Sequence, residues 1–294
     1  MMEFSRRTFL ASAGAALLGA SEPVIDIHQH TNYAGRTDDE LVAHQRTMGV
    51  TRTVLLPAGS KYGLAVGAGG NESVVALAHR YPDQFLFFAN EVPDLAGARR
   101  EIEKYLKTGA IGIGEQKFPV ACDSPAIHMV AEVAEAFGVP VLLHFQHETY
   151  NMGIERFHLV LEKHPRVSFI GHAQTWWGNI DRNHQQTVMY PKTKVTPGGI
   201  TDRLLSDYPN MYADLSANSG LNALLRDEEH TRQFLARHQN KLMYGSDCDD
   251  RAGAGTACSG AQCLAAVRRL APGADVVRKI LYGNAARLLS ISAA

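Results

Sequence analysis

Five short stretches of this chain end in side chains able to bind a metal ion or to move a proton. Asp26-Ile27-His28-Gln29-His30 sets two imidazoles two residues apart, and Val141-Leu142-Leu143-His144 and Phe169-Ile170-Gly171-His172 each close an apolar run with one histidine. Gly245-Ser246-Asp247 closes another with a carboxylate, and Gly114-Glu115-Gln116-Lys117 offers a carboxylate and an amine two residues apart. Side chains two apart in a strand point the same way, so Asp26, His28 and His30 are expected on one face, with Asp26 deeper and able to orient a ligand through a hydrogen bond. Neutral imidazole nitrogens bind zinc at about 2.0 to 2.1 Å, and an ion with an open position brings the pKa of bound water down to roughly 7. A carboxylate beside such an ion, Asp247 here, can take a proton and later return it. One histidine ending an apolar run is ordinarily a packed core residue. The repetition carries the weight, because burying that many ionisable groups without a compensating cation is expensive.

Elements must hold these residues together. Apolar runs that read as strands cover residues 24–30, 51–57, 85–92, 110–117, 139–146, 167–173, 211–216 and 241–247. Amphipathic stretches lie between them: 38–48, where Asp38 can cap the start and Gly49 stop the helix, then 94–108, 124–137 and 153–164. Strands that are apolar on both faces and alternate with helices indicate parallel pairing under a helical layer. Eight such units over about 250 residues match an α/β fold of the closed (β/α)8 TIM barrel type in a single domain; an open, doubly wound sheet is the alternative. The polar ends of those runs then fall at the carboxyl ends of strands, where such barrels build their sites. The long interruption at 175–199, carrying Trp176, Trp177, His184, Tyr190 and Pro191, is expected to be a lid or pocket wall. The glycine-rich stretch 63–70 lacks the lysine of a phosphate loop and reads as a flexible rim.

The remaining composition narrows the class. The chain has 294 residues, 29 Lys plus Arg against 30 Asp plus Glu, and so a formal charge of 29 − 30 = −1. That balance argues against a nucleic-acid partner, which calls for basic excess to replace counterions. Four cysteines are too few for a disulfide scaffold, although Cys248, Cys258 and Cys263 fall in one region where a clamp is conceivable in an oxidising compartment. Of 13 histidines, His44, His79, His158, His164, His230 and His238 lie on helical stretches and are expected at the surface; Gln146 and His147 follow His144 towards the pocket. The first 20 residues resemble a twin-arginine export signal: Arg6-Arg7, then a small-residue apolar run to Ala20. That run is shorter than the roughly 20 residues a membrane helix needs, so it reads as a removable address and not an anchor. It leaves residues 21–294 as the barrel, exported or periplasmic, with the twin-arginine machinery as a transient partner.

In the order H-x-H, Glu, His, His, Asp, the chain resembles the amidohydrolase superfamily of metal-dependent hydrolases, in the amidohydrolase-2 branch that also includes lactonases and zinc-dependent decarboxylases. The motifs are Asp26-Ile27-His28-Gln29-His30, Gly171-His172, Gly245-Ser246-Asp247 and the closing Gly283-Asn284-Ala285-Ala286-Arg287-Leu288, in which Asn284 begins a structural helix at the barrel's bottom or rim. The resemblance implies a divalent ion, zinc first and manganese second, held by His28, His30, His144 and Asp247, with His172 orienting or polarising the substrate. Glu115 is a bridge where two ions are bound, and Lys117 is a substrate anchor or an ion-pair partner, with a carbamylated bridge the third alternative. Trp176 and Trp177 either receive a ring-bearing small molecule or simply pack the loop. The implied reaction is hydrolysis of an ester, lactone or amide. The alternatives are decarboxylation of an unsaturated or aromatic acid and, outside enzymes, a periplasmic barrel that keeps its metal for ligand binding. Homo-oligomer formation is a further expectation.

Overall fold

The computed structural model describes residues 22–59 and 67–291. Residues 1–20, read as the export signal, and the first half of the rim at 63–70 lie outside them. Among the described residues there are eight short strands: β1 (Ile25–Gln29), β2 (Arg52–Leu55), β3 (Phe85–Phe87), β4 (Ile113–Gln116), β5 (Val141–His144), β6 (Phe169–His172), β7 (Met211–Asp214) and β8 (Leu242–Met243). Each ladder pairs consecutive strands in parallel, in one group β1-β2-β3 and another β4-β5-β6-β7-β8. Backbone bonds close both gaps. Ala89 N–H donates to Gly112 O and Gly114 N–H to Ala89 O, both at 2.9 Å, while Ile27 N–H reaches Tyr244 O at 3.1 Å and Asp247 N–H reaches His28 O at 2.8 Å. The circle β1 to β8 is thereby complete, as the alternation of strand and helix predicts.

The helices are α1 (Asp38–Thr47), α2 (Asn71–Arg80), α3 (Ala98–Lys107), α4 (Pro125–Phe137), α5 (Phe157–Lys163), α6 (Gln174–Gly178), α7 (Ile200–Asp207), α8 (Ala217–Leu225), α9 (Glu228–Arg237), α10 (Ser259–Leu270), α11 (Ala274–Arg278) and α12 (Asn284–Leu288). Local chemistry sets their ends. Thr37, one residue before the expected Asp38, caps α1 in a reciprocal capping box with Glu40, and Gly49 follows the helix at φ 73°. Ser124 caps α4, Pro125 opens it, and Gly138 ends it at φ 67°. Between the strands and these helices runs the large apolar layer of Leu41, Ile102, Val130, Phe157, Leu235 and Leu264. Inside the barrel a smaller cluster joins Ile25, Val54, Leu142, Ile170 and Met243 to Ala285, Leu289 and Ile291 at the chain's end. Asn284 fixes that closing segment by donating to Gln239 O at 2.7 Å and Leu242 O at 2.8 Å. Among the described residues no helix is long and apolar enough to cross a membrane.

Two irregularities matter for the site. Between paired positions β1 runs from Asp26 to Gln29 while β2 runs only from Thr53 to Leu55, so β1 carries one extra residue. The same occurs where β4 runs from Ile113 to Gln116 against Val141 to Leu143 of β5. Each bulge reverses the inside-outside phase of the residues beyond it. Ile25 and Ile27 therefore belong to the inner apolar cluster, and the expectation that Asp26 shares a face with His28 and His30 is corrected: Asp26 turns aside and accepts Ser246 N–H at 2.8 Å and Ser246 Oγ–H at 2.5 Å. Within the expected loop 175–199, the first residues continue helix α6. The rest folds back on itself, with Asp181 accepting the N–H groups of Asn183 and Thr196, and encloses a cavity of about 420 Å³ lined by Asp181, His184, Val188, Pro191 and Lys194.

Candidate metal centre

Five donor atoms converge above the inner cluster. His28 Nε2 and His30 Nε2 are 3.2 Å apart; Asp247 Oδ1 lies 3.7 Å from the first and 3.4 Å from the second. Glu115 Oε2 lies 3.6 Å from both. His172 Nε2 stands 3.6 Å from Glu115 Oε1 and 3.3 Å from Asp247 Oδ2. His28, His30, Glu115 and His172 are almost wholly buried. The β4 bulge aims Glu115 inward, and Gly114 permits it: its φ is 142°, and a Cβ there would come within 2.7 Å of Leu142 O. Gly245 is required for a similar reason, since a Cβ would meet Asp214 Oδ1 at 2.3 Å and His28 Cβ at 2.9 Å.

The outer ring nitrogens fix the inner ones. His30 Nδ1 faces Leu56 O at 2.7 Å, an atom that only accepts, so Nδ1 carries the proton and Nε2 presents a lone pair. His28 Nδ1 donates to Asp214 Oδ2 at 2.7 Å. His172 Nδ1 donates to Ser216 Oγ at 2.9 Å, and that hydroxyl in turn donates to Asp214 Oδ2 at 2.7 Å. One buried carboxylate thus orients two imidazoles. In the neutral ring state, two lone pairs oppose each other at 3.2 Å beside the carboxylates of Glu115 and Asp247, an arrangement that requires positive charge between them. Among the described residues Asp247 Oδ1 is buried without a hydrogen-bond partner, as an oxygen meant for an ion would be. Titration behaviour agrees. Burial disfavours charge on His28, but Asp247, Glu115 and Asp214 outweigh it and hold its pKa well above the usual imidazole range. Burial is also outweighed at Glu115, by His144, His28 and Lys117, and at Asp247, chiefly by the charge of His28; both stay well below the ordinary carboxylate range.

His144 sits at the flank. Its Nδ1 is 2.5 Å from Glu115 Oε1 and its Nε2 is 3.1 Å from the Gln146 side chain. Burial dominates its titration and lowers its pKa to about 4 despite Glu115. It is therefore a neutral donor to an ionised Glu115, which His28 and Lys117 keep charged. The converging set holds His172 where the resemblance implied His144. Lys117 is half-buried, with Nζ 5.9 Å from the Tyr150 ring and its charge felt by Glu115 and His144. Trp176 is completely buried and stacks on Phe145, and Trp177 is buried with its N–H given to Asp214 O at 3.0 Å. Both pack the loop onto the barrel, the second of the two alternatives the sequence allowed. No sequence motif singles out Asp214, Ser216 or Tyr33. Asp214 does end an apolar strand in a carboxylate, the same signal that marks Asp247. Tyr33 packs edge-on against His30, and burial together with Asp247 and Glu115 pushes its hydroxyl pKa far up.

The amidohydrolase profile of the amidohydrolase-2 type matches residues 25–291, nearly the whole described barrel. The chain belongs to the amidohydrolase-2 family. That family is metal-dependent and includes both hydrolases and decarboxylases. Solved structures show the same fold at low identity. An uncharacterised TIM-barrel protein from Bordetella bronchiseptica is 17% identical with a TM-score of 0.64, over 91% of this chain and 98% of that one. A probable 2-pyrone-4,6-dicarboxylic acid hydrolase from Acinetobacter baumannii is 15% identical with a TM-score of 0.62, over 91% and 99%. A 2,6-dihydroxybenzoate decarboxylase from Rhizobium is 14% identical with a TM-score of 0.61, over 92% and 99%. No curated protein sequence matches. In this amidohydrolase the donor set of nitrogen and carboxylate atoms, two with opposed lone pairs and one unpartnered, fits a divalent ion.

Proposed function

We propose that this amidohydrolase is an exported, metal-dependent hydrolase acting on an ester, lactone or amide bond of a small organic substrate. The observation that carries it is the convergence of two oriented imidazole nitrogens, of His28 and His30, on Asp247 Oδ1, a buried carboxylate oxygen with no hydrogen-bond partner among the described residues, with a third, His172 Nε2, beside Asp247 Oδ2. Zinc is the first candidate ion, with His28, His30 and Asp247 as its holders and His172 and Glu115 alongside; when bound it lowers the pKa of water and polarises a carbonyl. The remaining work falls to the chain itself. Asp247, with Oδ1 given to the ion, accepts a proton at Oδ2 and returns it to the leaving group. His172, held by Ser216, keeps Nε2 beside Asp247 Oδ2 and orients the reacting carbonyl. Lys117, half-buried and close enough to Glu115 for its charge to be felt there, presents a cation to an anionic group on the substrate. That cation also favours a second reading, decarboxylation of an unsaturated or aromatic acid, as in the Rhizobium decarboxylase.

Protein purified without chelator should carry one or two equivalents of metal at this centre, counted as the metal lost in His30→Ala, and a fully stable metal-free protein would overturn the proposal. Asp247→Asn should lower turnover by about 10²-fold or more while metal stays bound. Glu115→Gln separates two ions from one by the drop in stoichiometry. Lactones, aryl esters and aromatic acids should be assayed with carbon dioxide release followed in parallel; release without hydrolysis selects the decarboxylase. Export rests on Arg6-Arg7, and replacing both by lysine should retain the protein in the cytoplasm.

A further inference from the structure

A second cluster of metal-binding side chains lies behind the first, outside the barrel axis. His44 of α1, Cys248 and Asp250 of the loop after β8, and Cys258 at the start of α10 bring their ligand atoms within 4.8 Å of one another. His44 Nε2 is 3.0 Å from Asp250 Oδ2 and 3.3 Å from Cys248 Sγ. Cys258 Sγ is 3.6 Å from both His44 Nε2 and Cys248 Sγ. We infer that His44, Cys248, Asp250 and Cys258 form a structural metal site for a thiol-seeking divalent ion of the zinc class, which fastens the loop after β8 to α1 and α10.

The separations support this. A tetrahedral zinc with Zn–S of about 2.3 Å and Zn–N or Zn–O of about 2.0 to 2.2 Å has ligand-to-ligand edges of about 3.8 Å between sulfurs, 3.6 Å between sulfur and nitrogen and 3.4 Å between nitrogen and oxygen. The corresponding distances here differ by at most about 0.4 Å from these edges, the shortest being the His44–Asp250 contact. Three of the four residues are buried, and Asp250 is nearly so. Its other oxygen is already fixed by the N–H groups of Ala252 and Gly253, which leaves Oδ2 for the cluster. Two glycines make the space. A Cβ on Gly253 would strike His44 O at 2.4 Å, and one on Gly260 would come within 3.2 Å of Cys248 Sγ. Four ligands from the protein leave no open position, so the site holds structure and does no chemistry.

Its position couples it to the first centre. Cys248 directly follows Asp247, and its carbonyl accepts Gln29 Nε2 at 3.0 Å and Arg36 Nη1 at 3.1 Å. Gln29 in turn stands between His28 and His30. The loop that aims Asp247 is therefore anchored from behind at Cys248. A disulfide between Cys248 and Cys258, whose bond would be about 2.05 Å, would consume two of the four ligands and is the competing outcome.

The test uses the full-length chain purified under reducing conditions without chelator. Cobalt(II) added to metal-free protein should produce a thiolate-to-cobalt charge-transfer absorption, because the first centre contains no sulfur. A mercurial thiol reagent should release about one equivalent of zinc from the zinc-loaded chain. The absorption should persist in His30→Ala, which impairs only the first centre, and vanish in Cys248→Ser and Cys258→Ser. Should those variants fail to fold, the two wild-type measurements decide. With all four thiols titrating as reduced, absence of the absorption and of thiol-linked release overturns the inference, as does an absorption that survives the double cysteine variant. A Cys248–Cys258 disulfide in place of bound metal in protein isolated from its own compartment overturns it as well.

Discussion

Asp214 is the residue through which the first centre can be weakened without touching a ligand. Its Oδ2 receives both His28 Nδ1–H and the Ser216 hydroxyl that carries His172, each at 2.7 Å. Asp214→Asn keeps the shape and an accepting oxygen but removes the charge. A hydrogen bond to a charged group is worth about 1.5 to 3 kcal/mol against roughly 0.5 to 1.5 for a neutral one, so each of the two bonds loses about 1 kcal/mol. Together that is about 2 kcal/mol, or a ~30-fold loss of metal affinity, inside the 10- to 100-fold range typical for groups behind a metal ligand. Ser216→Ala severs only the His172 branch and should cost less, about 3- to 10-fold. Competition against a chromophoric chelator measures both, with denaturant unfolding of the metal-free proteins as the control for folding. Asp214→Asn affinity within about twofold of wild type, or a Ser216→Ala loss equal to it, would refute the role given to this carboxylate.

Three further outcomes are expected. Asp202 accepts from His238 Nε2 at 2.6 Å and from Arg237 Nε at 3.1 Å; burial opposes its charge but these partners lower its pKa. Asp202→Asn should cost about 1 to 3 kcal/mol at neutral pH. Because the folded pKa is depressed, the wild-type advantage is complete above the unfolded value of about 3.9 and disappears as pH falls through the folded one; urea unfolding at a series of pH values tests the sign. Gly245→Ala, forcing a methyl against Asp214 and His28, should destabilise the fold by about 1 to 3 kcal/mol in the same assay. Trp177→Phe should cost about 1 kcal/mol through the lost bond to Asp214 O, with substrate KM unmoved, since the indole does not line the pocket; a large KM change would return it to the site.

The strand order and the barrel were legible because apolar runs alternate with helical periodicity, and all eight expected strands overlap observed ones. The phase within strands was not. One extra residue in β1 and one in β4 leave no mark in hydropathy, yet they decide that Asp26 turns aside while His28, His30 and Glu115 face inward. Ladder length was also invisible: the apolar run 241–247 pairs only at Leu242 and Met243, and Asp247 adopts φ 38° where sequence suggested continued strand. Histidines on helices misled in the other direction. His79 is exposed and His158 half-buried, but His44, His164, His230 and His238 are buried. His44 was recoverable, since Leu41, His44, Gln45 and Met48 follow the spacing of one helical face; a polar residue on that stripe is a question about its partner. The indole pair shows the same limit, because an aromatic near a site motif has no sequence signature for which way it points.

Asp247 N–H donates to His28 O across the junction of the last strand with the first. The converging donors therefore straddle the seam of the barrel, with His28 near the start of the chain and Asp247 near its end. During synthesis the amino-terminal half emerges with His28, His30 and Glu115 long before Asp247 exists, so the complete pocket is a property of the finished chain alone. Loading then becomes a late step in biogenesis, and a truncated or stalled product would be recognisable by its inability to retain the ion. An ion seated on the seam also ties the two ends of the sequence, so its removal should loosen first the closure between β8 and β1, with hydrogen exchange rising there before it rises on β5 and β6.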